Sequence, residues 1–296
     1  MSIAEEIKDS FKFGSNLTKI IYINIAVFII YKLIVAIFYL FLTPLDENSL
    51  GQFLAVPSYI PSLLSKPWTI ITYMFFHQEF LHILFNMLWL YWFGIIFLEY
   101  LPQKKLVGVY ILGGITGAVI YILFYNTFSV FSGALLDANA RGASAAILAV
   151  VIAIATLKPN LSINLMFIGP VKLKYLALFS IVLDIISIPV SNPGGHIAHL
   201  GGALFGYLFI VAGKSGIDLI KPISWLINLF NLKKKPHSHL KVSVQKSDVD
   251  YEYNKRKVEK HAGLDKILDK IAKSGYDSLS KEEKEILFKF KDNSIN

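Results

Sequence analysis

Cysteine is absent from the 296 residues. That absence excludes disulfides, thiolate metal sites and cysteine nucleophiles. Charge is scarce as well: Asp, Glu, Lys and Arg make up 17% of the chain against 54% hydrophobic residues. There is no His-Glu-x-x-His run, so the usual helical zinc-protease pattern is missing. The first apolar block, about 20–43, lacks a small-residue cleavage site and is too long for a signal-peptide core. It reads as an uncleaved membrane span.

What the chain does have is apolar sequence in blocks long enough to cross a hydrocarbon layer of roughly 30 Å. Cutting these runs at charges, Pro and Gly leaves six candidate spans, at about 20–43, 80–100, 106–126, 142–158, 171–190 and 196–213. The expected fold class is all-α: a polytopic membrane protein with a six-helix transmembrane bundle and a small cytoplasmic helical tail. Lys104 and Lys105 lie between the second and third spans, and Lys158, Lys172 and Lys174 lie around the turn from fourth to fifth. The connection Ser191-Asn192-Pro193-Gly194-Gly195 carries no charge. Lys-rich loops stay cytoplasmic, and an even span count puts both termini on that side. From Lys214 onward the chain holds 18 of its 29 Lys and Arg residues, in agreement with that orientation.

Polar residues inside such spans call for a reason. Ser144 opens the fourth span in the run Gly142-Ala143-Ser144-Ala145-Ala146, His199 lies one turn into the sixth, and His82 begins the second. All three fall at one end of the expected bundle. The fourth span has about 15 apolar residues after Ala143, roughly 22 Å of helix. It cannot reach both surfaces, so its serine end is expected to lie in a recess that admits water. His82 and Asn86, four residues apart, share a helix face. A serine hydroxyl needs an adjacent base to become a nucleophile, and an amide beside it suits an oxyanion. Each residue also has a structural reading. The serine run is equally a close-packing face, and His82 and Asn86 are equally interhelical hydrogen-bonding groups. His199 is less easily explained that way, because intramembrane ionisable groups are functional by default. It precedes Gly202 and Gly206, a small-xxx-small face able to approach the Ala145 and Ala146 side of span four.

Together these residues resemble the rhomboid intramembrane serine proteases over about 20–213. The resemblance rests on His77, His82 and Asn86 in a His-x-x-x-x-His-x-x-x-Asn run, on Gly142 and Ser144, and on His199, Gly202 and Gly206. Pro67 to His77 looks like the end of that family's long first loop, and Glu99 is similar to its acidic residue closing span two. The resemblance implies that Ser144 is the nucleophile and His199 the general base and then acid. It further implies that His82 and Asn86 serve the oxyanion hole together with the Ser144 backbone N–H. Gly142, Gly202, Gly206 and His77 are supporting residues, with His77 a first-loop residue shaping the cavity. His196, three residues before His199, is expected at the cavity rim. The resemblance implies no cofactor and no metal. Two positions depart from the family pattern: Ala145 replaces a glycine, and Leu148 replaces an aromatic residue. Asp184, in span five, is left out of the site because the family works with a Ser-His dyad, and its expected role is structural. Two other readings stay open: a catalytically silent rhomboid-like binder, and a metal site or transporter built from His77, His82, His196 and His199.

The expected domain order begins with a cytoplasmic segment, 1–19, and the protease-like domain, 20–213, whose first outer loop runs about 44–78. That loop carries Pro57, Pro61 and Pro67 among apolar residues and is expected to lie partly in the outer interface. An amphipathic interfacial helix, 214–235, ends in Lys233-Lys234-Lys235 and is expected to meet anionic headgroups. A flexible linker, 236–262, leads to a helical hairpin, 263–296, with a capping box at Ser280-Lys281-Glu282-Glu283. The hairpin is expected to dock on a partner, on another copy or on the membrane. Acids interspersed among the lysines argue against nucleic acid as a partner. The expected partners are transmembrane protein substrates and the bilayer. The expected location is a bacterial cytoplasmic membrane, with the site opening outward.

Overall fold

In the computed structural model the described residues are 3–41, 47–165, 169–221 and 223, together with 267, 270–271, 275 and 278–285. Six principal helices carry the fold, labelled here α1 (Asn16–Phe41), α2 (Phe80–Tyr100), α3 (Gln103–Thr127), α4 (Ser144–Leu157), α5 (Leu173–Ser187) and α6 (Pro193–Lys214). A short helix, Ile3–Phe13, precedes α1 and is tied to it by the Tyr22 hydroxyl donating to Ser10 Oγ at 3.1 Å.

Among the described residues four helices, α1, α2, α3 and α6, are long and apolar enough to cross a membrane. The sequence pattern had six spans. The other two are shorter, 14 residues for α4 and 15 for α5. Gly142 takes φ 110°, so the chain leaves the helical region there and α4 starts only at Ser144. Beyond α4, Ser162–Leu165 pairs with Gly169–Lys172 as an antiparallel hairpin. A second two-stranded pairing joins Val56–Pro57 to Asn139–Ala140. The fold is thus mainly helical and not purely so.

α4 is the packing centre. Every residue from Ala145 to Ala155 is buried, and α2, α3, α5 and α6 all touch it. Lipid tails are as apolar as these side chains, so burial from water does not drive the assembly; close van der Waals packing does. Small residues make it possible. A Cβ on Gly202 or Gly206 would run into the backbone carbonyls of Ala145 and Ala149, and one on Gly113 would meet the Ala149 methyl. α6 therefore lies with its glycines directly on the α4 backbone. The Ala145 methyl faces α3, where a Cβ on Gly117 would come within 2.8 Å of it. The departure at Ala145 is accommodated there.

Local signals set the ends of α6. Asn192, at φ 43°, accepts from the Gly195 N–H at 3.2 Å, and Pro193 fills the first turn, where its missing N–H has no helical acceptor to lose. At the other end Gly216 takes φ 79°, with Gly216 N–H donating to Gly213 and Ile217 N–H to Ala212. This is a Schellman stop. Residues 215–220 accordingly form turns, and most of the expected interfacial helix lies outside the described residues. The expected linker lies wholly outside them.

The first loop is folded onto the bundle. It contains the helices Glu47–Leu54, Ile60–Ser65 and Thr69–Thr72 and a tight turn at Tyr73–Phe75. Trp68 Nε1–H donates to the Phe53 carbonyl at 2.9 Å and Thr72 Oγ1 to that of Leu54 at 2.9 Å. The Tyr73 hydroxyl reaches the Gly114 carbonyl in α3 at 2.5 Å, and the Tyr73 carbonyl accepts from Gly142 N–H at 2.9 Å. That last bond pins the segment leading into Ser144.

The chain divides into two units, 1–233 and 234–296. In the second, Ser280 Oγ accepts from Glu283 N–H at 3.2 Å while the Glu283 carboxylate accepts from Ser280 N–H at 2.7 Å, which is a capping box. Lys270 pairs with Glu283 at 2.8 Å.

Candidate active site

Ser144 and His199 meet. Ser144 stands at the start of α4 and His199 in the second turn of α6, and His199 Nε2 lies 2.6 Å from Ser144 Oγ. The close approach that the glycines of α6 allow is what carries the imidazole to the hydroxyl. His199 Nδ1 lies 2.8 Å from Asp184 Oδ1 of α5, and His196 Nδ1 lies 2.8 Å from the same oxygen. An ionised carboxylate can only accept, so both Nδ1 atoms carry protons. A neutral His199 then has its lone pair on Nε2, aimed at the serine O–H. That is the protonation pattern a base needs to take up a hydroxyl proton.

Asp184, expected to be structural, lies within hydrogen-bond distance of both histidines of α6. The buried positions of α5 are Leu173, Leu176, Ala177 and Asp184, one helix face, and that face turns the carboxylate toward α6. The signal was present in the sequence. A carboxylate in the middle of an apolar run is costly unless paired, and two histidines three residues apart offer two donors. Which face of α5 looked inward was not readable locally. His196, expected at the rim, shares this carboxylate.

On the other side of Ser144 lies His77, fully buried in the first loop. Its Nε2 receives the Ala143 N–H at 3.2 Å and faces Asn86 Nδ2 at 3.1 Å. A backbone N–H only donates, so Nε2 is the acceptor and the Asn86 atom facing it is the amide NH₂. An amide nitrogen has two hydrogens, and His77 takes one. His77 therefore ties Asn86 to the turn before Ser144. His82 packs over Gly142, where an added Cβ would lie 2.7 Å from its ring. As the first residue of α4, Ser144 has an N–H with no acceptor in its own helix, and the positive end of the helix dipole lies there.

A cavity of about 960 Å³ opens onto these groups, lined by His82, Asn86, Ser144, Asp184, His196 and His199 and walled by apolar side chains including Leu148. Among the described residues, Asp184, His196 and His199 also form a group whose potential ligand atoms lie within 4.8 Å of one another. Nitrogen-to-oxygen separations of 2.8 Å are those of hydrogen bonds. Ligands of tetrahedral zinc, with bonds near 2.0–2.1 Å, stand about 3.3 Å apart. Among the described residues this group takes in His196 and His199 but neither His77 nor His82.

Burial, followed by the neighbouring His82, pushes the His77 imidazole down to about 3. A histidine lowered in the folded state is protonated first in the unfolded chain. Its contribution to stability is complete above about 6.5 and is lost as the pH falls toward 3. The free energy of unfolding in detergent is expected to fall across that window, by up to about 1.4 kcal/mol per pH unit from this group. His77→Gln is expected to flatten the dependence. An unchanged slope in the variant would remove His77 from the account.

The fold and site define an integral membrane protein with a serine-histidine pair recessed at one end of its helices. The Rhomboid domain model matches residues 64–215, and the chain belongs to the rhomboid family. It is also similar to the RHOMBOID-like protein 12, mitochondrial, of Arabidopsis thaliana, with 33% identity over 144 residues, 46% of this chain and 43% of that protein. The matched region thus spans less than half the length of that relative. Residues 247–290 match a second model, described as a Family of unknown function (DUF6576).

Proposed function

We propose that this protein is an intramembrane serine endopeptidase that cuts peptide bonds in or near transmembrane segments of other membrane proteins. The observation that carries this reading is the 2.6 Å contact between Ser144 Oγ and His199 Nε2 at the wall of a cavity of about 960 Å³. Ser144 gives its proton to His199 Nε2 as Oγ attacks the scissile carbonyl. The oxyanion is held by the free Asn86 N–H, by His82 and by the Ser144 N–H, donors fixed before the charge develops. His199 returns the proton to the leaving amine, the C–N bond breaks, and an acyl-serine remains. Water activated by the same imidazole then releases the acid and restores Ser144. The carbonyls of an intact substrate helix are hydrogen-bonded, so the segment must unwind, and substrates with helix-weakening residues and small side chains at the cut are favoured.

The lysine-bearing loops support an orientation with both termini cytoplasmic and the site opening outward; a bacterial cytoplasmic membrane is the proposed location. Contacts of Lys233-Lys234-Lys235 with anionic headgroups, and of the C-terminal segment with a partner or a second copy, belong to the same proposal.

A fluorophosphonate probe, which reacts with activated serines, tests the reading. The purified protein in liposomes is expected to be labelled, and Ser144→Ala is expected to stay unlabelled while remaining folded. Labelling that survives in Ser144→Ala, or a folded wild type that does not label, overturns the reading. The second of these results would favour a silent rhomboid-like binder.

A further inference from the structure

Asp184 is a charged group beside the Ser144–His199 pair that the dyad mechanism leaves without a role. It lies on a helix whose neighbouring side chains face outward: Leu183, Ile185 and Ile186 are all exposed. A carboxylate there is costly unless held by donors, and it has two. Both bonds converge on Oδ1 at 2.8 Å from His196 and His199. No bond joins His196 to Ser144 among the contacts at the site, so His196 acts on the carboxylate and not on the serine.

Resting on the protease reading above, we propose that Asp184 is a positioning residue for the general base. Its Oδ1 selects the tautomer of His199 that leaves Nε2 free for Ser144 and holds the ring in line. It also places a negative charge beside the imidazolium that forms when Ser144 gives up its proton. His196, by donating to the same oxygen, clamps the carboxylate from a second side. Asp184 touches neither substrate nor the reacting atoms, so the serine-histidine pair still performs every bond change. Because Asp184 belongs to α5 and its partners to α6, the base is correctly set only while these two helices are packed together at this end. A metal ion on His199 Nδ1 would displace the proton to Nε2 and leave the ring unable to accept from Ser144, so the arrangement works through hydrogen bonds and not through a metal.

The experiment compares full-length wild type, Asp184→Asn, Asp184→Ala, Asp184→Glu and Ser144→Ala in liposomes. It reads the first-order rate of fluorophosphonate labelling, and kcat and KM for cleavage of a transmembrane substrate. A first-order rate is independent of how much of the sample is folded, so a poorly folding variant still reports. Asp184→Asn and Asp184→Ala are each expected to lower kcat and the labelling rate by about 10²-fold or more, with KM nearly unchanged. Asp184→Glu is expected to recover part of the loss. Asparagine is isosteric and therefore the milder change for packing, yet it removes the charge and can present an N–H to Nδ1, favouring the wrong tautomer. It is expected to be at least as damaging as alanine. If asparagine is near wild type in rate while alanine only lowers the unfolding midpoint, Asp184 merely anchors α5 and the proposal falls. A wild type that does not label, or a Ser144→Ala that does, overturns the protease reading itself and this inference with it.

Discussion

Replacing His199 with alanine is expected to reduce cleavage of a transmembrane substrate by about 10⁴-fold or more, as loss of a serine-protease base does, while leaving the unfolding midpoint nearly unchanged. The rate effect follows from geometry. His199 Nε2 is 2.6 Å from the hydroxyl, and no other imidazole is hydrogen-bonded to it among the described residues. His82 packs over Gly142 and His196 is bonded to Asp184. The small effect on stability follows from what stays behind. The His199 side chain is 24% exposed to the cavity, so its removal leaves open space and not a sealed void. Asp184 keeps its bond to His196 and is not left as an unpaired buried charge, the situation that makes loss of one ion-pair partner severe. Cleavage rate and thermal unfolding measured on one preparation would check both halves. A variant within tenfold of wild type would mean that another group takes the serine proton.

Gly206→Val is expected to act on stability first, destabilising the fold by about 3 kcal/mol or more. A Cβ at Gly206 meets the Ala149 carbonyl, and the atom in the way is backbone of the most enclosed helix in the bundle. Neither helix can yield cheaply, because α4 is held from the other side by α3, where Gly113 lies against the Ala149 methyl. Pushing α6 off α4 would also draw His199 away from Ser144, so activity should fall with stability. Gly213 is the control. It lies on the same helix, and nothing stands within 4 Å of an added Cβ. Gly213→Ala is expected to be neutral or to stabilise by up to about 1 kcal/mol through helix propensity. Unfolding midpoints of the two variants in detergent give the comparison. Equal effects at the two positions would show that the small-residue face does not hold the bundle.

Some of the site could be read before any coordinates. Ser144, His199, Asn86 and His82 stand out because polar groups in apolar runs are rare and costly, and their positions near the starts of their helices already put them at one depth. Gly202 and Gly206 stand out because a four-residue glycine spacing lies along one helix face. Other features resisted. Six apolar runs suggested six spans, but the two shorter helices, α4 and α5, are trimmed by the positive φ of Gly142 and by the hairpin before Leu173. Apolar content registers both helix and non-helical flanks alike.

The sequence by itself determined that this is a membrane protein and which residues could react, since composition and the rarity of intramembrane polar groups are local properties. Only the tertiary structure decided how they are wired. It set His77 Nε2 as an acceptor for Asn86 and Ala143, gave the Ala145 methyl its place against Gly117, and brought Asp184 to His196 and His199. Those outcomes depend on how each helix is rotated about its own axis and which neighbour it faces. That rotation is settled by the packing of the whole bundle, so no single segment records it.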